Sequence, residues 1–354
     1  MKKKLKIAYI IPARKKVGSI NVVHDLVVTM QRNGHDCTLF YFDDKQTLDI
    51  PCTCKKISFF SSIPFNEFDV VHSHCFRPNL YIFLHRPLKK TNTIFLNTIH
   101  CYIFQEYRNS LGNIKGFLLA LMDLLCMRRM DYNICLTNNA ISYYGHFLKK
   151  KKLCVGYNTK IIDTNLSIPN DDLKILNDFK NKFNFSCCSI CVISPIKGLE
   201  QIIMALPNLN AGFVVIGEGS EKERLLKIAR EYHVEDKVLF MGYRGDAYKY
   251  LPLFDVYCMP SRSEGFPIAL LEAAIYKKAV VCSNLPVFYE IFDETEVVYF
   301  QQDDISSCRN ALYRANNDKY KYGESINKKF MACYSPDSFY SQHICIYSQN
   351  DKSL

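Results

Sequence analysis

Ser261-Arg-Ser-Glu-Gly-Phe-Pro-Ile-Ala-Leu-Leu-Glu272 is the stretch on which the reading of this chain turns. Ahead of it, Val256-Tyr-Cys-Met-Pro260 is an apolar run that ends at a proline, the pattern of a short buried strand. Behind it, Ile268 to Ala274 are good helix formers, with Pro267 where the first helical turn is expected. Proline suits that place because its missing N–H would have no intrahelical partner there. The segment therefore predicts strand, glycine-containing turn and helix start. Unpaired N–H groups and the positive end of a helix dipole would converge above such a turn. Glu264 and Glu272 flank this anion site, and carboxylates accept hydrogen bonds from hydroxyls. An anion cradle bordered by two carboxylates suits a sugar attached to a diphosphate. The alternative is a solvated acidic face on an amphipathic helix.

Strand and helix patterns alternate on both sides of this stretch. Strands are predicted at Cys188–Ile193, Phe213–Ile216, Val238–Met241, Ala279–Cys282 and Val297–Phe300. One helix carries Leu199, Ile202, Ile203 and Leu206 at i, i+3, i+4 and i+7, and another runs from Glu221 to Tyr232. In the first half the strands are Ile7–Ile11, Cys37–Phe42, Asp69–His72, Ile94–Ile99 and Tyr132–Leu136. Helices lie around Val22–Arg32, Asn79–Leu84 and Phe117–Arg129, and Gly34 is placed to cap the first of them. Such alternation predicts doubly wound parallel sheets. The polar stretch Tyr157 to Asp172 reads as the linker.

A chain of 354 residues exceeds one ordinary core, so two domains are expected. Their bounds are 1–160 and 161–335, with 336–354 returning to the first domain. Met1-Lys-Lys-Lys-Leu-Lys6 is basic, but the apolar run behind it stops at Pro12, a strand's length and not a signal peptide's. Phe117 to Met127 is too short to span a bilayer and contains Asp123. A cytoplasmic protein is therefore expected. The 16 cysteines are spread through predicted core segments and read as buried free thiols. Cys188-Ser-Ile-Cys191 has zinc-ligand spacing without a second pair to match. Charge is uneven: residues 1–160 hold 24 Lys and Arg against 10 Asp and Glu, and the rest 21 against 25. A basic first half implies an anionic partner. Anionic lipid head groups or a lipid-diphosphate fit it, whereas no nucleic-acid motif accompanies the charge. The run Lys149–Lys152 reads equally as a solvated face.

Glu264 and Glu272, set in Pro-Ser-Arg-Ser-Glu-Gly-Phe-Pro-Ile-Ala-Leu-Leu-Glu-Ala, resemble the signature of the family 4 retaining glycosyltransferases. The likeness extends along the chain through Lys6–Pro12 with Gly18, Asn33–Asp36, Phe68–His74, Thr98–His100, Val215–Gly219, Phe240–Gly242 and Leu285–Glu290. It implies the GT-B fold, an α/β architecture of two Rossmann-like doubly wound parallel-sheet domains facing a central cleft. In open parallel sheets ligands bind outside the carboxyl ends of the strands.

Transfer from a nucleotide-sugar needs the departing diphosphate neutralised and the sugar face held. Lys197, in Ser194-Pro-Ile-Lys-Gly198, stands between a strand and a helix, where the family's lysine meets phosphate. An arginine usually stands five residues earlier, and this chain has Val192. Neutralisation would then rest on Lys197, the helix start at Pro267–Ala269, and Arg262. By the resemblance, Glu272 binds ribose hydroxyls and Glu264 lies near the donor sugar and reaction centre. Backbone at Gly265, Phe266, Pro267 and Ile268 would line sugar and phosphate, and Gly18 would approach them from the first domain. His100 ends a strand and by resemblance hydrogen-bonds the sugar or assists proton movement. Alternation along the strand is taken to leave at most one of His72 and His74 at the cleft. No Asp-x-Asp stands where a metal would be held, and the family works without one.

The expected activity is retaining, metal-independent transfer of a hexose or N-acetylhexosamine to a glycan. The donor expected is a nucleotide-sugar, a UDP-sugar above others, and no cofactor is implied. The acceptor expected is a lipid-linked or cell-surface glycan, such as a capsular or lipopolysaccharide intermediate, met at an anionic membrane surface. The alternatives are a degenerate GT-B subunit that binds without turnover, and a sugar-nucleotide epimerase.

Overall fold

The computed structural model describes residues 4–15, 17–44, 48–89 and 91–349. The basic start at residues 1–3 and the last residues, 350–354, lie outside them. The chain divides into two compact units, Met1–Ile161 with Tyr334–Leu354, and Ile162–Cys333.

The first unit contains strands β1 (Lys6–Ala13), β2 (Asp36–Asp43), β3 (Thr53–Lys56), β4 (Val70–His74), β5 (Ile94–Ile99), β6 (Tyr132–Cys135) and β7 (Leu153–Val155). They form one parallel sheet in the order β3-β2-β1-β4-β5-β6-β7. Its helices are α1 (Gly18–Arg32), α2 (Phe76–His85), α3 (Ile103–Leu111), α4 (Asn113–Arg128) and α5 (Asn138–Tyr144). Alternate residues of neighbouring strands, Ala8, Ile10, Phe40, Val71 and Phe95, pack with Tyr81 and Ile82 of α2 in one buried cluster. Gly34 does cap α1. It takes φ +86°, and the N–H groups of Gly34 and His35 return to the carbonyls of Gln31 and Met30.

The second unit contains β8 (Phe185–Ile190), β9 (Ala211–Ile216), β10 (Val238–Gly242), β11 (Val256–Met259), β12 (Ala279–Ser283) and β13 (Val298–Phe300), parallel in the order β10-β9-β8-β11-β12-β13. Its helices are α6 (Asn170–Lys180), α7 (Glu200–Ala205), α8 (Lys222–Glu231), α9 (Ile268–Ile275), α10 (Pro286–Ile291), α11 (Ile305–Asn317) and α12 (Lys319–Cys333). Leu199, Ile202, Ile203 and Leu206, the periodic set read from sequence, are all buried. Burial of such side chains contributes about 1.5–3 kcal/mol each. They join α8, α11 and one face of the sheet in a single core cluster. A last helix, α13 (Pro336–Tyr347), belongs to the first unit and packs on α1.

Both sheets are parallel and doubly wound, as the alternation predicts. Two of the boundary differences have a clear physical cause. The strand expected at Cys188–Ile193 lies three residues earlier, because Ser186 and Ser189 are buried with partners. Ser186 binds Asp255 Oδ2 through its N–H at 2.9 Å, and Ser189 Oγ donates to Cys258 O at 2.7 Å. The polar stretch read as linker ends inside α6, whose Asp172 is buried against Arg244 at 2.8 Å. No helix of the described residues is long and apolar enough to cross a membrane.

Candidate functional site

In the second unit, glycines bring three strand ends together. The segment Cys191–Leu199 leaves β8 and meets the backbone beyond β9. Its Cys191 and Ile193 N–H groups bond Ile216 and Glu218 carbonyls at 3.1 and 2.9 Å. A Cβ on Gly217 would lie 1.8 Å from Cys191 O, and one on Gly219 2.0 Å from Ile193 O. Gly198, with φ +59°, closes the 3-10 turn Pro195–Lys197 and would place a Cβ 2.3 Å from Pro260 O. Only glycine permits that approach. Arg262 N–H then bonds Ile196 O at 2.7 Å, fixing this turn against the segment that follows β11.

Lys197 and Glu264 meet there. Lys197 Nζ donates to Glu264 Oε1 at 2.6 Å, and Ser261 Oγ donates to the same oxygen at 2.7 Å. The two charged side chains are 23% and 11% exposed. Cys191 lies within the field of both charges, Lys197 lowering and Glu264 raising its thiol pKa, and burial pushes it up to about 11. Glu272 stands in the second turn of α9, and Pro267 caps that helix from outside it. The phenol of buried Tyr257 on β11 is pushed up by burial and further by the charges of Cys191, Cys188, Glu272 and Glu264. Gly265 and Ile268 are half-buried, and Phe266 and Pro267 are buried between the two carboxylates. The Ile268 N–H is occupied by Phe266 O at 3.1 Å.

Arg262 is engaged elsewhere. Its Nη2 lies 2.8 Å from Glu200 Oε1 and 2.6 Å from Asp303 Oδ1, and both carboxylates hold its pKa above the usual arginine range. It therefore serves to lock α7 and the loop after β13 to the β11 end, and Lys197 remains as the cation beside Glu264. Gln201 strengthens the same junction, donating to Pro260 O at 2.9 Å and accepting the Asp303 N–H at 2.9 Å. Val192 is 69% exposed.

Gly18 and His100 belong to the first unit. Gly18 is the first residue of α1, with open space where a Cβ would stand. His100 follows β5, and its Nε2 lies 2.9 Å from His74 Nδ1 at the end of β4. His72 pairs through Nε2 with Thr98 Oγ1 at 2.8 Å and through Nδ1 with the Tyr347 hydroxyl of α13 at 2.7 Å. Tyr9 OH lies 3.3 Å from Tyr347 OH. The rings of His72 and His74 are 4.4 Å apart. This corrects the expectation that alternation separates the pair: residues i and i+2 share a face of a strand. Burial lowers all of these imidazoles, His100 to about 4, so they are neutral at physiological pH. His74 Nε2 is buried without a hydrogen-bond partner among the described residues.

The structure thus brings Lys197, Glu264, Gly265, Phe266, Pro267, Ile268 and Glu272 together in one unit, and sets Gly18 and His100 in the other. Ser261, Glu200, Gln201 and Asp303 were not singled out from sequence. Ser261 lies inside the quoted stretch and its hydroxyl was a usable signal. The other three reach the junction only through folding. All 16 cysteines are free thiols, Cys188 buried.

Residues 178–329 match the family model described as glycosyl transferases group 1. The chain is 28% identical over 353 residues to the O-antigen biosynthesis glycosyltransferase WclY of Escherichia coli, covering 98% of this chain and 97% of that protein. It is 24% identical over 302 residues to the UDP-Gal:alpha-D-GlcNAc-diphosphoundecaprenol alpha-1,3-galactosyltransferase of Escherichia coli, covering 79% and 77%. Among solved structures, Anabaena Alr3699/HepE in complex with UDP and glucose aligns with a TM-score of 0.78 at 14% identity, over 98% of this chain and 100% of that one. The fold is that of the GT-B glycosyltransferases. The family match over residues 178–329 and the named relatives are likenesses to group 1 and O-antigen glycosyltransferases.

Proposed function

We propose that this chain is a retaining, metal-independent glycosyltransferase of the family 4 type. It moves a hexose or N-acetylhexosamine from a UDP-sugar to a lipid-linked or cell-surface glycan. One observation carries the reading: Lys197, beyond β8, is held against Glu264, which Ser261 also binds, in the segment that runs from β11 into α9. The relative that uses UDP-Gal and a diphosphoundecaprenol acceptor, and the neighbour that holds UDP, support the donor and acceptor classes.

In this mechanism the diphosphate takes the ammonium of Lys197, and Glu264, freed from it, accepts sugar hydroxyls. Glu272 holds the ribose, and backbone from Gly265 to Ile268 lines the phosphates. The acceptor oxygen forms a bond to the anomeric carbon on the face that the diphosphate leaves. The carbon–oxygen bond to phosphate breaks with its electron pair on the phosphate, which takes the acceptor's proton. Charge that develops on the leaving group is what Lys197 stabilises, so the interaction is strongest in the transition state.

Thermal stabilisation across UDP-, GDP-, ADP- and TDP-sugars tests the donor site, with Glu272→Ala as control. A ligand that binds only the folded state raises stability with the logarithm of its occupancy. A shift with UDP-sugars that Glu272→Ala abolishes is the expected result. No shift with any nucleotide overturns it. Exposed Val192, in place of the family's arginine, favours a second reading, a subunit that binds without turnover. A UDP-sugar shift with no transfer to any glycan would select that reading. An inverted linkage in the product would refute retention.

A further inference from the structure

The imidazoles of His72, His74, His100 and His343 differ in how their nitrogens are used. His72 has both engaged, Nε2 with Thr98 Oγ1 at 2.8 Å and Nδ1 with the Tyr347 hydroxyl at 2.7 Å. His343 Nδ1 donates to Phe339 O at 3.0 Å, one turn back in α13. His74 departs from this pattern. Its Nδ1 lies 2.9 Å from His100 Nε2, and its Nε2 is buried with no partner among the described residues. The sequence sets up the contact. His72 and His74 alternate with Ser73 on β4, so both rings take one face of the sheet. β5 runs parallel to it, with His72 opposite Leu96 and His74 opposite Thr98. Each histidine meets the residue two places further along: Thr98 for His72, and His100, just past the strand end, for His74.

A neutral imidazole has one N–H and one acceptor nitrogen. Burial keeps both His74 and His100 neutral, so the contact between them uses one proton and one lone pair. Only two arrangements satisfy it. If His100 Nε2–H donated, His74 Nδ1 would accept, and the His74 proton would stand on Nε2. That N–H would be buried without an acceptor, having lost its water and gained nothing in return. If His74 Nδ1–H donates instead, the unpartnered Nε2 is a bare lone pair. This is the lesser loss, since buried acceptors go unpaired more readily than buried donors. The His100 proton then stands on Nδ1, a nitrogen without a partner among the described residues. His100 is only partly buried, whereas His74 is wholly so.

We propose that His74 is a positioning residue: it donates from Nδ1 to His100 Nε2 and so fixes the His100 proton on Nδ1. His100 then presents a hydrogen-bond donor just beyond the carboxyl end of β5, the end at which open parallel sheets take their ligands. The group it binds is an oxygen of the ligand, because its one basic nitrogen is already occupied by His74. Of the two roles that sequence leaves to His100, hydrogen bonding and proton movement, this selects hydrogen bonding. A carboxylate in the place of His74 would orient the ring too, but its charge would favour the imidazolium. A second neutral imidazole orients the ring and leaves it uncharged. The tautomer follows from the first unit alone, and only its bearing on sugar transfer rests on the function proposed above.

The test is a long-range proton–nitrogen correlation spectrum of the full chain grown with isotope-labelled histidine, in which protonated and bare ring nitrogens resonate apart. His100→Ala identifies the His100 signals by their loss. The expected result is a protonated Nδ1 and a bare Nε2 on His100, and the reverse in the wild type overturns the proposal. His74→Phe keeps a ring in the buried place and removes the donor. The His100 proton should then redistribute toward Nε2, and kcat/KM for transfer should fall about fivefold, the worth of one hydrogen bond. In the His100→Ala background the same change should alter kcat/KM by less than about twofold, since His74 acts through His100. An unaltered His100 tautomer in His74→Phe overturns the proposal. So does an equal loss of transfer in both backgrounds, which would make His74 merely structural. Should the wild type transfer no sugar, the spectra still decide the tautomer, so failure of the transfer reading is told apart from failure here.

Discussion

At the scale of single residues, Lys197 is the group on which the proposed chemistry depends most. Its ammonium sits 2.6 Å from a carboxylate that also has the Ser261 hydroxyl, so its removal leaves Glu264 with one donor. The pair is mostly buried, and Lys197→Ala should cost about 1–3 kcal/mol of stability. Loss of leaving-group stabilisation should instead lower kcat about 10²–10³-fold. Transfer assays beside calorimetry separate the two, since a purely structural lysine would lower the melting temperature and spare kcat. Val192→Arg is the complementary change. It adds a cation next to Cys191, whose thiol feels both Lys197 and Glu264, and should tighten UDP-sugar binding about fivefold in a calorimetric titration. An unchanged affinity would mean that position 192 does not reach the diphosphate. The core of this site was legible because Ser261 to Glu272 places its chemistry in twelve consecutive residues. Glu200 and Asp303 were not, since they meet Arg262 from 62 and 41 residues away.

Among the elements, the strand ends are set by glycines whose roles differ although sequence gives them one letter. Gly219→Ala drives a Cβ to 2.0 Å from the Ile193 carbonyl and displaces the segment that carries Lys197. It should destabilise the second unit by about 1–3 kcal/mol and abolish the UDP-sugar shift. Gly18→Ala meets nothing within 4 Å and should leave stability unchanged or raise it by about 0.4–1 kcal/mol. A fall in transfer by Gly18→Ala at undiminished stability would therefore report on donor approach alone. Equal destabilisation of the two variants in denaturant titration would contradict this division. Long apolar runs such as Ile94–Ile99 were legible as strands because both faces of a parallel sheet are buried. The edge strand β3, Thr-Cys-Lys-Lys, was not, because it is mostly exposed and has no apolar pattern to show. α3 escaped for a similar reason: Ile103 is its one buried residue.

For the molecule as a whole, the informative feature is that a polar C-terminal stretch returns as α13 to complete the first unit. Its pattern gave little away because Tyr340, His343 and Tyr347 are buried through hydrogen bonds as much as apolar contact: Tyr340 OH reaches His35 Nε2 at 3.0 Å, and Tyr347 OH reaches His72. Four imidazoles of this unit, His72, His74, His100 and His343, are thereby held neutral by burial, the last two at about 4. In the unfolded chain each would titrate near about 6.5. Between these values the unfolded state binds the extra protons, so the histidines' contribution is complete above about pH 6.5 and is lost as pH falls toward 4. Asp123 and Glu296 act in the opposite sense, since burial raises their carboxyl pKa and the folded state takes up protons first. The carboxylates held low, Asp172, Asp255, Asp293 and Asp303, lose their share only below about pH 4. The melting temperature should therefore drop on the order of 10 °C between pH 7.5 and pH 5. His343→Gln supplies the control, because glutamine in α13 cannot take the proton that histidine takes on unfolding. The drop should shrink in that variant whatever its stability at pH 7.5. A melting temperature that does not change with pH, or an undiminished drop in His343→Gln, would show that the buried histidines do not govern the acid limb of the stability curve.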